Sequence, residues 1–318
     1  MRYVVYGAGA VGGVVGGTLA RAGNAVTLVA RGAHLEAIRA GGLVLDAGDG
    51  RHVVDVPATD TAADVAWTDD TVVVLAVKSH QVATALDDLR RHAPLDTPVV
   101  CATNGIATEV AVLRLFARTY AVCVMLPASH LEPGVVVAAC HPTPAILDIG
   151  RVPGGTDATT AAVRADLRGA GIESEERDDV LAWKRRKLLT NLGNGVDASF
   201  AQGPAADELA ERALAEGEAV LAAAGLSVVT AEDDTARRGT ILRRRPDLER
   251  RGGSTWQSLR RGTGDSEIDY LSGEVVLQGR LLGVPTPVNE AVVAATRHLA
   301  TTGGAPRSLD AAAVLATL

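Results

Sequence analysis

Cysteine is scarce in this 318-residue sequence, and the little there is does not pair. Cys101, Cys123 and Cys140 make an odd count with no C-x-x-C spacing, which excludes a disulfide framework and a cysteine-held zinc site and fits a reducing cytoplasm. Seven histidines are scattered without H-x-x-x-H spacing or an accompanying carboxylate cluster, so no metal site is expected. An excess of positive charge is also missing. The formal net charge of -7 argues against nucleic acid as a partner, because neutralising phosphates takes a basic face. Only one long uncharged run tempts a membrane reading, residues 3–20 after Arg2, and Gly7, Gly9, Gly12, Gly13, Gly16 and Gly17 spoil it as a secretion signal or span. No membrane partner is expected, no internal repeat is visible, and the oligomeric state stays open, a homodimer included.

What is present describes a globular protein of about two domains. Hydrophobic residues make up 47% and charged residues 22%, a balance that supports a buried core and excludes disorder. Through about residue 172, short β-branched runs at 3–6, 25–29, 72–77, 98–101 and 122–126 alternate with amphipathic stretches. These runs are nearly continuous in Val, Ala and Leu, which predicts a parallel sheet with helices on both faces. Residues 135–139 and 145–149, on either side of a His-Pro-Thr-Pro turn, predict a hairpin at the sheet's far edge. Beyond residue 178 Ala, Leu, Glu and Arg dominate and apolar residues recur at steps of three and four, the pattern of helices. The expected division is therefore 1–178 and 179–318. The arginine-dense stretch 237–251 reads as a solvated helix face or loop, with ligand binding the other reading.

The strongest local signal is Tyr3-Val4-Val5-Tyr6 leading into Gly7-Ala8-Gly9-Ala10-Val11-Gly12, a G-x-G-x-x-G between a strand and a helix. Gly7 permits the tight turn, Gly9 lets the backbone approach a pyrophosphate and Gly12 allows close helix packing, so a dinucleotide site is expected. An NAD site would place a carboxylate after the next strand. Here Ala30-Arg31-Gly32 follows instead, and a guanidinium pairs with a 2'-phosphate, which favours NADP(H). Lys78 and Asn104 each follow a later strand of the same sheet, at the carboxyl ends where ligands of such sheets bind. Loop solvation and turn chemistry are the plainer readings of each taken singly.

In the second half, Lys187, Asn191 and Asn194 fall within about 60° of one another on a helix turning about 100° per residue. Trp183 and Leu188 flank this stripe of one ammonium and two amides, which predicts partial burial; a solvated stripe is the alternative. Downstream, Ser254 precedes Trp256-Gln257, and Ser266-Glu267 opens an expected helix, where Ser266 can cap and Glu267 can complement the dipole.

Taken together these segments resemble the ketopantoate reductase family: the N-terminal glycine motif, Arg31, Val77-Lys78-Ser79-His80-Gln81, Asn104-Gly105, the helix from Arg186-Lys187-Leu188 to Asn191, Ser254 before Trp256-Gln257, and Ser266-Glu267-Ile268-Asp269-Tyr270. The resemblance implies an α/β Rossmann-type dinucleotide-binding domain followed by an all-α 6-phosphogluconate dehydrogenase-like domain, and NADPH-dependent reduction of a 2-oxo acid, ketopantoate by default. It implies that Lys187 donates the proton to the 2-keto oxygen and that Glu267 orients it. It further assigns Asn104, Asn191 and Ser254 to substrate or cofactor, and Arg31 and Lys78 to the cofactor phosphates. Two positions depart from the family pattern. A second asparagine usual eight residues after the lysine is Gly195 here, with Asn194 one place early as its substitute, and an asparagine usual three residues before the serine is Arg251. A guanidinium there favours a more anionic or differently placed acid group. A reductase of another carbonyl compound and a non-catalytic NADP(H)-binding protein are the remaining readings.

Overall fold

A computed structural model describes residues 1–249, 252–262, 264 and 266–318. The first eleven strands and five helices alternate as the β-branched runs demand. They are β1 (Arg2–Tyr6), α1 (Ala10–Arg21), β2 (Ala25–Val29), α2 (Gly32–Gly41), β3 (Leu43–Ala47), β4 (Gly50–Val54), β5 (Ala58–Thr59), β6 (Thr71–Leu75), α3 (Val82–His92), β7 (Val99–Cys101), α4 (Ala107–Leu113), β8 (Thr119–Met125), β9 (Ala128–Ser129), β10 (Val135–Ala138), β11 (Ile146–Arg151) and α5 (Ala158–Gly169). The helices that follow are α6 (Val180–Ser199), α7 (Pro204–Ala223), α8 (Ala231–Arg238), α9 (Ser254–Arg261), α10 (Ser272–Leu282), α11 (Pro287–Thr302) and α12 (Ala311–Leu315).

The chain divides into two compact units. The first comprises Met1–Thr103, Thr108–Lys184 and Ala231–Leu248, and the second Asn104–Ala107, Arg185–Thr230 and Glu249–Leu318. In the first, a seven-stranded sheet runs in the order β11-β8-β7-β6-β1-β2-β5, parallel throughout except for β11 against β8. Successive residues of a strand serve opposite faces. Tyr3 and Val5 pack with Val14 and Leu19 of α1 and Val163 of α5, whereas Val4 and Tyr6 pack with Val82, Leu86 and Leu89 of α3. A sheet buried on both faces needs continuous apolar strands, and β6 reads Thr-Val-Val-Val-Leu. The chain leaves β1 first toward β2 and later returns to β6 on its other side, which makes the end of β1 the topological switch point.

The expected edge hairpin is not formed. β11 does line the edge of the main sheet, antiparallel to β8, but β10 joins a second sheet of order β4-β3-β10-β9. That sheet exists because residues 43–54, read as part of a helical interval, instead form a β3–β4 hairpin whose Leu43 and Leu45 are buried. Its apolar face covers α1. A Cβ at Gly13 would lie 2.5 Å from Val136 Cγ1, and one at Gly16 would lie 2.7 Å from Leu28 Cδ2 of the main sheet, so α1 is a glycine-faced helix held between two sheets.

The arginine-dense stretch is neither a solvated face throughout nor a separate loop. Ala231–Leu248 belongs to the first unit, although its composition matches the helical half. Asp148 of β11, fully buried, accepts from Arg237 Nε at 2.9 Å and Nη2 at 2.7 Å, and from Arg177 Nε at 3.0 Å and Nη2 at 2.8 Å. Arg245 bonds Asp46 of β3 at 2.7 Å and Asp247. A buried carboxylate asks for paired cations, and the distant arginines answer it. Arg250 and Arg251 lie outside the described residues, and with them the position where the family asparagine is replaced.

In the second unit the apolar positions of α6, Leu188, Leu189, Leu192 and Val196, pack against Leu209 and Val220 of α7, Val275 of α10 and Val288 and Val292 of α11. The residues after 265 do not start a helix where expected. A single 3-10 turn, Ile268–Tyr270, follows Glu267, and α10 begins only at Ser272 after a break at Leu271 (φ -112, ψ -96). Glu267, not Ser266, thus occupies the cap position of the 3-10 turn, with no side-chain bond to the turn's backbone.

Replacing Asp148 by alanine leaves two arginines without their buried counter-charge. The expected loss is about 3 kcal/mol of unfolding free energy in urea titration, accompanied by early proteolytic cleavage within 231–248.

Candidate active site

Each unit carries part of the predicted site. In the first, the backbone leaves β1 through Gly7 at φ +103, a value that suits glycine, and a Cβ there would lie 2.8 Å from the Val77 backbone nitrogen. The Gly7 and Ala8 N–H groups both donate to the Val29 carbonyl at 3.0 Å, tying the turn to β2. Gly12 faces the Gly7 carbonyl so closely that any Cβ would collide with it. Gly9 differs, because its Cβ position meets no atom within 4 Å. The turn is therefore packed on one side and open on the other, and Gly9 caps α1, where first-turn N–H groups await an acceptor.

The open side belongs to a pocket lined by Gly7, Ala8, Gly9, Ala30, Arg31, His34, Val77, Gln81 and His130, among others. Arg31 is exposed at the start of α2, and its guanidinium bears on the Tyr6 hydroxyl. That phenol donates to Asp88 at 2.7 Å. Burial and the Asp88 bond push its pKa above the usual value, with Arg31 pulling the other way. Lys78, half-buried, sits between Val77 and Gln81 at the head of a 3-10 turn after β6. The glycine turn and Arg31 thus share this pocket with Val77 and Gln81, which bracket Lys78, whereas Lys78 itself and Asn104 are not among its lining residues.

Sequence reasoning missed His34. Its Nδ1 accepts from the Gly134 N–H at 2.8 Å and its Nε2 donates to the Ala8 carbonyl at 2.8 Å, so the bonds select one neutral tautomer. Burial lowers its pKa; the Ala8 bond opposes this and His130, ring centroids 4.1 Å apart, adds to it. The imidazole fastens the glycine turn to the entry of β10. A histidine three residues past the arginine was a visible signal, but its partners lie 26 and 100 positions away.

In the second unit the α6 stripe forms as the 3.6 periodicity predicts, and it is not a solvated one. Asn191 is buried, Lys187 and Asn194 are half-buried, and Asn194 Nδ2 donates to Asn191 Oδ1 at 3.3 Å. Asn194 Oδ1 would lie 3.2 Å from a Cβ at Gly253, which brings the amides to the start of α9 and Ser254. Gly195 points elsewhere. A Cβ there would lie 2.7 Å from both Ile268 Cδ1 and Val292 Cγ1, so position 195 faces apolar core. Ile268 follows Glu267, which is itself buried, and a Cβ at Gly105 would lie 2.7 Å from the Tyr270 carbonyl. Asn104–Gly105, Glu267–Tyr270, α6 and the start of α9 therefore neighbour one another. Among the described residues no group of three or more His, Cys, Asp or Glu could hold a metal ion, and no helix is long and apolar enough to cross a membrane.

Family models reach the same regions: residues 3–154 match that of ketopantoate reductase PanE/ApbA, and residues 179–300 match its C-terminal counterpart. The chain belongs to the ketopantoate reductase family. It is accordingly an oxidoreductase acting on CH–OH groups, in a family of nicotinamide-dependent 2-oxo acid reductases. It is 31% identical to the 2-dehydropantoate 2-reductase of Halobacterium salinarum over 91% of this chain and 95% of that one. With the enzyme of the same name from Mesorhizobium japonicum it shares 30% identity over 96% and 99%. The crystal structure of a PanE/ApbA family ketopantoate reductase from Ralstonia eutropha JMP134 superposes with a TM-score of 0.82 at 28% identity, covering 95% of this chain and 99% of that one.

The packing of Ile268 and Val292 in this member of the ketopantoate reductase family leaves no space for an asparagine at 195. Gly195→Asn is expected to lower unfolding free energy by about 1–3 kcal/mol through overpacking against Ile268 and Val292, read by urea titration.

Proposed function

We propose that the chain reduces the keto group of ketopantoate to the hydroxyl of pantoate, with NADPH as the electron donor. The observation that carries this reading is the polar stripe of α6. Asn191 and Asn194 bond to each other once and otherwise keep their amide capacity free among the described residues, beside Lys187 on the same face. Buried amides with spare donors are poised for a ligand's acceptors, and a carboxylate with an adjacent carbonyl supplies them.

The glycine turn fits the cofactor by its one open side at Gly9, where a pyrophosphate can approach the backbone and the first turn of α1. Arg31 takes the 2'-phosphate that distinguishes NADPH from NADH, and Lys78 takes a further phosphate. When bound, the reduced nicotinamide supplies a hydride to the carbonyl carbon. Lys187 donates a proton from its ammonium to the oxygen that becomes the hydroxyl. Glu267 orients that ammonium and the substrate, while Asn191, Asn194 and Ser254 hold the acid. Asn104 serves both substrate and cofactor.

Purified protein tested for NADPH oxidation with ketopantoate and a panel of other 2-oxo acids decides the reading: turnover of ketopantoate ahead of the panel supports it, and none with any 2-oxo acid ends it. Lys187→Ala is expected to lower kcat by about 100-fold while NADPH affinity stays near wild type. Unchanged turnover would remove Lys187 from the proton transfer. Arg31→Ala is expected to weaken NADPH binding at least about tenfold and NADH binding far less, by fluorescence titration.

A further inference from the structure

Lysine is rare in this chain, three residues among 31 Lys and Arg, so its use in place of arginine carries information. Two of the three, Lys78 and Lys187, already have proposed roles. The third, Lys184, lies on the first turns of α6 and is 3% exposed. Its Nζ stands 2.9 Å from Oε1 of Glu109, itself 1% exposed. Nζ also donates to the Thr103 carbonyl at 2.7 Å and, at 3.4 Å, to the Val122 carbonyl of β8. Two carbonyls accept from the ammonium and the Glu109 carboxylate stands beside it at ion-pair distance, its oxygens without a hydrogen-bond partner among the described residues, so the charge of Lys184 is what compensates it.

A buried pair of this kind seldom stabilises a fold beyond what apolar side chains of similar volume would, so its retention asks for another reason. The positions of its partners supply one. Thr103 immediately precedes Asn104, and Glu109 lies on α4 just after the Asn104–Ile106 turn, in which Gly105 adopts φ +76. One ammonium therefore holds both ends of the segment that presents Asn104, and it ties the first end to the neighbouring strand. Cys101, close by, offers no alternative chemistry: burial and the Glu109 charge push its thiol pKa well up, against the pull of Lys184.

We propose that Lys184 and Glu109 are positioning residues that clasp the Asn104 turn and thereby set where Asn104 meets its ligand. The proposal rests on the role given to Asn104 above. Single variants leave a buried charge unpaired and endanger the fold, so the informative variant is the double replacement Lys184→Met with Glu109→Leu, which removes both charges at similar volume. Its thermal midpoint and NADPH affinity are expected to stay near wild type. Amide hydrogen exchange across 103–106 is expected to rise about tenfold, the size of one lost charge-assisted hydrogen bond, and kcat/KM for the 2-oxo acid to fall by about the same factor.

Wild-type exchange across that segment in the folded double variant overturns the clasp. Faster exchange with unchanged kcat/KM overturns the positioning role. Should the double variant not fold, Glu109→Asp, which keeps both charges but draws the carboxylate back by one methylene, is read in the same way and is expected to show a smaller rise; no rise overturns the clasp. If the wild-type protein turns over no 2-oxo acid, the functional reading fails, and exchange alone then decides whether the pair clasps the turn.

Discussion

The first turn of α1 must lie within contact of backbone on one side and of two sheets along its length, and that close approach governs the first unit. A side chain at 12 would strike the Gly7 carbonyl, one at 13 the second sheet, and one at 16 the main sheet. The helix consequently contributes backbone where most helices contribute side chains. Its N–H groups arrive at the switch point between β1 and β6 with nothing at Gly9 to shield them, which is the electrostatic condition for holding an anion. The β3–β4 hairpin and β10 follow from the same constraint, because a helix with glycine on two faces needs apolar cover on both. His34 links that cover to the turn it protects.

Helix α6 meets two environments in succession. Lys184 is held by Thr103, Val122 and Glu109 of the first unit, and one turn later Lys187 begins the polar stripe of the second. Steps of three and four keep Lys187, Asn191 and Asn194 on one face, while Leu188, Leu192 and Val196 turn to the core. The eighth residue after Lys187 lies about 80° from it and about 40° beyond Asn191, at the edge toward the core. Gly195 accordingly meets Ile268 and Val292, and the amide function moves to Asn194.

Much of this was readable from local pattern. Continuous β-branched runs located the parallel strands because burial on both faces leaves no polar alternation to confuse them, and the glycine motif declared its turn because only glycine tolerates φ +103 against the Val77 backbone. The α6 stripe was legible for the same reason, since helical periodicity is a property of adjacent residues. What escaped depended on partners far along the chain. The β10 run looks like a hairpin arm until β3 is known to need a neighbour, and Arg237 looks solvated until Asp148 is seen buried 89 positions away. Lys184 was hidden by company: in Trp183-Lys184-Arg185-Arg186-Lys187 nothing local marks which cation turns inward.

Completeness of bonding separates the structural polar groups from those for which a ligand is proposed. Asp148 accepts from two guanidinium groups and from the Glu175 N–H at 3.0 Å, and Lys184 places its ammonium among three oxygens. Groups satisfied to that degree have little left to offer a ligand, and their contribution is to hold elements in place. Asn191 and Asn194 stand at the other extreme: each amide offers two donors and two acceptor sites, and among the described residues one bond between them uses a single donor and a single acceptor. Amides with bonding capacity left over are what the substrate contacts proposed above require.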